Sequence, residues 1–224
     1  MSSRNPAEPD ARASERPDQL FERERAGAED SAGLVIGVLA AQGDFAAHAR
    51  ALRSLGAEPL EVRRAEELSD IDGLVIPGGE STTISQAIER DSLEPAIRAH
   101  LERGRPLLGT CAGLILCDRE HLGLMDIEAR RNAFGRQRQS FECDLPIEGL
   151  GDEPLRAVFI RAPWIDRHGP AVDVLATIDG HPVVARQGAV LVCAFHPELT
   201  DDSRLHALFM AMATAAREHA TDRT

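Results

Sequence analysis

The sequence predicts an α/β protein built on a mostly parallel sheet with helices on both faces. Three observations carry that prediction. The first strands are marked by continuous apolar runs rather than by alternation, as expected where both faces of a sheet are covered. Segments with helical spacing alternate with those runs through the first half of the chain. Gly109-Thr110-Cys111-Ala112-Gly113 then sits where a strand gives way to a helix, a place where such sheets carry a nucleophile.

Taken in order, Leu34 to Ala40 is the first apolar run and the first strand. Phe45 to Leu55 has helical spacing and stops at Gly56, a C-terminal cap. Leu60-Glu61-Val62 reads as a short second strand, and Ile71 to Ile76 as a third, ended by Pro77-Gly78-Gly79. Ser81 to Ile88 and Leu93 to Glu102 read as helices. Pro106 to Gly109 is the strand leading into the cysteine turn, and Ala112 to Asp118 the helix leaving it. The later part is richer in strands: Phe141 to Ile147, Leu155 to Ile160, Val172 to Ile178, Pro182 to Ala185 and Val190 to Ala194, with some antiparallel pairing expected among them. Leu205 to Ala216 is a closing amphipathic helix. Residues 1–31 differ in character. They carry Pro6, Pro9, Pro17 and many charges, with Leu20 and Phe21 the only bulky apolar residues after Met1. They read as a disordered or loosely helical extension, with a charged helix over Arg12 to Arg25 having little to bury. Residues 32–224 read as one domain.

Composition sets limits on function. A chain of 224 residues, 43% apolar, fits one α/β domain with a sizeable core. A formal net charge of −12 argues against a nucleic-acid partner, because phosphate binding wants a basic face. No apolar run approaches the roughly 20 residues of a membrane span, and the N-terminus lacks the apolar core of a signal peptide. Cys111, Cys117, Cys143 and Cys193 lack zinc-type spacing, and a disulfide framework is not expected in such a chain. A reducing cytoplasm is the expected location, with no metal site.

The candidate chemistry centres on Cys111. Glycines on either side let the backbone turn sharply and expose the sulfur above the sheet. A helix N-terminus and an imidazolium favour the thiolate, the reactive form. His196-Pro197-Glu198 follows the strand Val190 to Phe195, at the sheet end where sites gather. His196 supplies the imidazole and Glu198 orients it, since residues i and i+2 of an extended segment face the same way. Taken alone, His196 would read as a histidine that caps a loop. A zinc-deaminase pattern is set aside because no P-C-x-x-C follows the His-x-Glu. Cys117 and Cys193 lie in apolar runs and read as core, and Cys143 as structural. Pro77-Gly78-Gly79-Glu80-Ser81-Thr82-Thr83 offers backbone N–H groups at a strand-to-helix turn, suited to a carboxylate or an oxyanion. It matches neither a P-loop nor a Rossmann glycine pattern. Arg130 to Arg138 is a basic island in an acidic chain, either a solvated loop or the source of an arginine that clamps a substrate carboxylate. Arg161, at the end of Phe159-Ile160-Arg161-Ala162-Pro163, admits the same two readings.

Six segments occur in a recognisable order. They are Gly37 to Gly43, Pro77 to Thr83, Gly109 to Gly113, Arg131 to Gln137, Phe159 to Pro163 and Phe195 to Thr200. Over about residues 34–217 the chain resembles the glutaminase subunits of pyridoxal 5′-phosphate synthase, within the class I (triad) glutamine amidotransferases. The elbow and His-Pro-Glu pieces alone would indicate only the wider superfamily. The resemblance implies a flavodoxin-like three-layer fold and hydrolysis of L-glutamine to glutamate and ammonia. The ammonia would pass to a separate (β/α)8-barrel synthase subunit that builds pyridoxal phosphate, with no cofactor on the glutaminase itself. By the same resemblance Cys111 is the nucleophile, His196 the acid/base and Glu198 its orienter. Gly79, Glu80, Ser81, Arg131, Ile160 and Arg161 would contact glutamine. Backbone N–H groups of Gly78, Gly79 and Ala112 are expected at the oxyanion, and Gln42 near that site and the partner interface. Weak activity alone and activation by the partner are expected. Two features depart from the family pattern: the segment Cys117 to Arg130 looks shorter, and the first 31 residues have no counterpart. Related cysteine hydrolases and chaperones that share the elbow, and a non-catalytic regulatory subunit, are the alternatives.

Overall fold

The computed structural model describes residues 33–135 and 139–221. The expected N-terminal extension, and Arg136, Gln137 and Arg138 of the basic island, lie outside them. The first half alternates strand and helix: β1 Val35–Leu39, α1 Phe45–Ser54, β2 Glu58–Val62, a 3-10 turn Ala65–Leu68, β3 Gly73–Ile76, α2 Ser81–Arg90, α3 Glu94–Glu102, β4 Leu107–Thr110 and α4 Ala112–Cys117. The second half is mostly strand: β5 Ile127–Arg130, β6 Ser140–Leu145, β7 Leu155–Ile160, β8 Trp164–His168, β9 Asp173–Ile178, β10 His181–Gln187 and β11 Val190–Cys193, then a 3-10 turn Pro197–Leu199 and α5 Arg204–Thr221.

The main sheet has the order β2-β1-β3-β4-β11-β10-β9. The first five of these pair in parallel, and β10 and β9 continue the sheet antiparallel. Helices cover both faces, in the flavodoxin-like arrangement. α1 and α5 meet through His48 and His206, and α2 packs on α4. Strands β3, β4 and β11 are buried at every position, which is why they read as unbroken apolar runs. Each fully buried Leu or Ile there contributes roughly 1.5–3 kcal/mol relative to exposure.

Two pairs stand apart from the main sheet, and the sequence reading differs from both. β6 and β7 form an antiparallel ribbon of their own, with the alternating burial of a strand covered on one face. β6 ends at Leu145, ahead of Pro146, rather than running to Ile147. β5 and β8 pair antiparallel where no strands were expected. Their sequences, Ile-Glu-Ala-Arg and Trp-Ile-Asp-Arg-His, carry charges on exposed positions and too few apolar residues to show a period. α5 runs on to Thr221, beyond the expected Ala216, because the apolar face that made it legible fades before the helix does.

The order of the sheet brings the chemistry together. β4 and β11 are parallel neighbours, with Thr110 opposite Cys193. The residues that follow each strand, Cys111 and His196, therefore emerge at the same end of the sheet. Gln42 follows β1 and Gly78 follows β3 at that end as well. Open α/β sheets bind ligands outside the carboxyl ends of their strands.

Candidate active site

Cys111 caps α4 with φ +47° and ψ −99°, a sparsely populated conformation for a residue with a Cβ. Such a conformation costs of order 1–3 kcal/mol and persists only where the surroundings impose it. Here the Cys111 N–H donates to the Cys193 carbonyl across the β4–β11 seam at 2.8 Å. The side chain is left at the floor of a pocket, 6% exposed, with Sγ 4.0 Å from the Ile160 carbonyl oxygen.

His196 is set by its neighbours on both sides. Its backbone N–H donates to the Val158 carbonyl of β7 at 2.9 Å, and ring Nδ1 lies 2.8 Å from Glu198 Oε1. Residues 197–199 form a 3-10 turn rather than the extended segment expected from the sequence, because Pro197 fixes φ and opens a turn. The Glu198 side chain folds back to His196 across that turn. Burial works against the charge on His196, but its hydrogen bonds to Cys111 and Glu198, and the charges there, raise its pKa to about 10. Burial likewise pushes Glu198 up, and the hydrogen bond and charge of His196 outweigh it and bring it below the ordinary carboxylate value. The arrangement favours an imidazolium held between the Cys111 sulfur and the Glu198 carboxylate.

The pocket has a volume of about 390 Å³, and every residue singled out from the sequence as a site residue lines it. Gly78 lies under Cys111 and His196: a Cβ placed there would overlap the His196 ring and come within 3.3 Å of the Cys111 Cβ. The loop after β1 rests on the same turn. Gly43 has φ +96° and its Cβ would run into the Gly78 carbonyl, so only glycine allows the approach. Gln42 Oε1 accepts the Glu80 N–H at 2.8 Å, a contact no motif announces. Gly79 continues the turn, and Ala112, 1% exposed, opens α4 beside the cysteine.

The remaining residues form the pocket wall. The Glu80 carboxylate is already engaged. It caps α2 by accepting from the Thr83 hydroxyl and N–H, both at 2.8 Å, and from Thr82 N–H at 3.2 Å. These bonds, the Thr83 hydroxyl foremost, lower its pKa to about 2. Arg131, half-exposed, pairs with Glu80 at 3.2 Å. Ser81 is buried at the start of α2 and its hydroxyl has no partner. Ile160 is 36% exposed at the rim, and Arg161, exposed beside it, takes φ +45°. Asn132 and Leu199 also line the pocket and carry no sequence signal of it. Cys117 and Cys193 are fully buried, and burial pushes both thiols up. Among the described residues no group of three or more His, Cys, Asp and Glu side chains is placed to hold a metal ion, and no helix is long and apolar enough to cross a membrane.

Two buried histidines lie behind Glu198. His48 Nε2 is 3.2 Å from Glu198 Oε2 and 3.3 Å from Thr110 Oγ1, and His48 Nδ1 is 2.9 Å from His206 Nε2. Burial lowers the pKa of His48, and that of His206 to about 3. His100, bonded to the Pro106 carbonyl, is lowered by burial to about 4. These groups predict acid lability. Below pH 6.5 the unfolded chain binds protons that the folded chain refuses, so stability falls as pH falls, from 6.5 towards 4 for His100 and towards 3 for His206. The slope is up to about 1.4 kcal/mol per pH unit for each histidine. His196, shifted the other way, keeps its contribution below 6.5 and loses it only as pH rises through about 10. Urea unfolding at pH 7.5, 6, 5 and 4 checks this. A flat stability over that range would show that the three rings are not buried neutral.

Fold and site together define a class: a flavodoxin-like α/β protein with an elbow cysteine beside a histidine–carboxylate pair. The chain belongs to the SNO glutamine amidotransferase family, whose model matches residues 38–215. It is 53% identical over 191 residues to a protein of Niallia circulans named pyridoxal 5′-phosphate synthase subunit PdxT, covering 82% of this chain and all of that one. A protein of the same name from Halorubrum lacusprofundi is 53% identical over 188 residues, covering 78% of this chain and 95% of the other. A solved structure described as a glutamine amidotransferase superposes with a TM-score of 0.74 at 46% identity, over 80% of this chain and 98% of that one.

Proposed function

We propose that this chain hydrolyses L-glutamine to L-glutamate and ammonia, and that the ammonia passes to a separate (β/α)8-barrel subunit that makes pyridoxal 5′-phosphate. The observation that carries the proposal is the strained Cys111 beside the His196–Glu198 pair, in a chain of the glutamine amidotransferase family. The names of its relatives support the assignment to pyridoxal phosphate synthesis.

In this mechanism the Cys111 thiolate attacks the side-chain amide carbon of glutamine. The oxyanion is held by backbone N–H groups of Ala112 and of the Gly78-Gly79 turn. His196, charged and aimed by Glu198, protonates the leaving nitrogen, and ammonia departs. The imidazole then takes a proton from water, which attacks the glutamyl thioester and expels the Cys111 thiolate; the new carboxyl group gives its proton to solvent, and glutamate leaves with thiolate and imidazolium restored. Ser81 and Arg131 bind the amino-acid end of glutamine with Ile160 and Arg161 at the rim. Glu80 flanks glutamine from the pocket wall, held there by its carboxylate bonds to Thr82 and Thr83 and its N–H bond to Gln42. Four free cysteines among the described residues suit a reducing cytoplasm.

Regulation belongs to the same proposal. Gln42 and Gly43 hold the turn that carries Gly78 and Gly79, so a subunit docking on that loop reaches the oxyanion site directly. Ammonia release from L-glutamine is expected to be slow for the chain alone and at least about tenfold faster with the cognate synthase subunit, a coupling of about 1.4 kcal/mol. Equal rates with and without that subunit would remove the regulatory part. No release under either condition would remove the glutaminase itself.

A further inference from the structure

We propose that His48, backed by His206, is a positioning residue of the site: it holds the second oxygen of the Glu198 carboxylate and so fixes the group that aims His196. This rests on the triad proposed above.

The carboxylate is nearly sealed off, its side chain 1% exposed. One oxygen, Oε1, faces His196 Nδ1 at 2.8 Å. The other, Oε2, lies 3.2 Å from His48 Nε2, a contact outside hydrogen-bond alignment, and it has no hydrogen-bond partner, so His48 is the nearest group able to answer its charge. A buried carboxylate oxygen without a donor is costly, and the side chain would rotate or take up a proton to avoid it.

The contacts favour one arrangement of protons. A bare Nε2 of His48 would accept from the Thr110 hydroxyl, but it would set a lone pair against the carboxylate and leave a buried N–H of His206 unpaired, so the proton is assigned to Nε2. Nδ1 of the neutral ring is then an acceptor, and His206 Nε2, 2.9 Å away, must donate to it. That leaves His206 Nδ1 as a lone pair, and it is the one ring nitrogen of the two without a partner. An unpaired lone pair costs less there than a buried unpaired N–H. Burial holds both rings neutral, as this pattern requires. The groups facing His48 are Glu198 and His196 from the turn after β11, His206 from α5, Thr110 from β4, and Asp44 from its own helix. A histidine pair serving only to fill the core would close on itself. This one ends on the carboxylate of the site, and its Thr110 contact adjoins Cys111.

The test is steady-state glutamine hydrolysis with the cognate synthase subunit present, with thermal melts to check folding. His48→Leu is expected to lower kcat by about 10–100-fold with KM for glutamine within about threefold. His48→Gln should recover kcat to within about fivefold of wild type, because its amide nitrogen reaches the Nε2 position. The double variant His48→Leu with Glu198→Gln should fall within about threefold of Glu198→Gln alone, since His48 acts through that carboxylate. Wild-type kcat in His48→Leu would overturn the proposal. So would equal losses in the Leu and Gln variants that multiply with Glu198→Gln, the result for packing alone. Wild-type turnover in Glu198→Gln would instead refute the triad itself. Should the Leu variant not fold, His48→Asn replaces it. Its amide reaches only the Nδ1 position, so activity equal to His48→Gln would overturn the proposal.

Discussion

Cys111→Ala is expected to abolish glutamine hydrolysis, with kcat falling by about 10⁵-fold or more and the fold intact. Among the described residues that line the pocket Cys111 supplies the one thiol, and it is the group hydrogen-bonded to His196. Little packing is lost, because one face of the side chain borders the pocket. Alanine leaves the backbone strain in place, since φ +47° is as uncomfortable for alanine as for cysteine. Cys111→Gly should therefore be as inactive but more stable than Cys111→Ala, by about 1 kcal/mol. Ammonia release and urea unfolding of the two variants check both statements. Residual turnover above about one-thousandth of wild type would refute the nucleophile assignment.

Gly78→Ala carries the second large effect. The backbone at this position is open to alanine, and what stands in the way is the His196 ring, with Cys111 behind it. The added methyl must displace the imidazole from its line between Cys111 and Glu198, or push the turn off the loop at Gly43. A displacement of about 1 Å in a reacting group is enough for a loss of about 100-fold, and kcat is expected to fall by at least that much. The fold should survive, because the turn is at the surface end of the sheet. Comparison with Gly104→Ala separates the two causes. Gly104 has φ +78° and open space around its Cβ position, so alanine there strains the backbone and touches nothing in the pocket. Activity of Gly78→Ala within about threefold of wild type would show that His196 has room to spare.

Much of this architecture was legible in the chain. The runs at Leu34 to Ala40, Ile71 to Ile76 and Val190 to Ala194 are strands because a strand covered on both faces must be apolar throughout. The cysteine between two glycines marked its own turn, and the residues named from motifs lie around one pocket. Other features were not legible. His48 reads as one more residue on an amphipathic helix, and nothing local ties it to the site. β5 and β8 have too few apolar residues to show a period.

The sequence by itself determined the strands of the central sheet, the turn at Cys111 and the glycine turn at Gly78, because each follows from neighbours within a few residues. Tertiary structure alone decided that β4 lies beside β11, which puts Cys111 next to His196, and that α1 and α5 meet behind Glu198. Those outcomes depend on which apolar surface covers which, a choice made between segments far apart in the chain: 83 residues for Leu107 and Val190, 158 for His48 and His206. Local propensity carries no information about it.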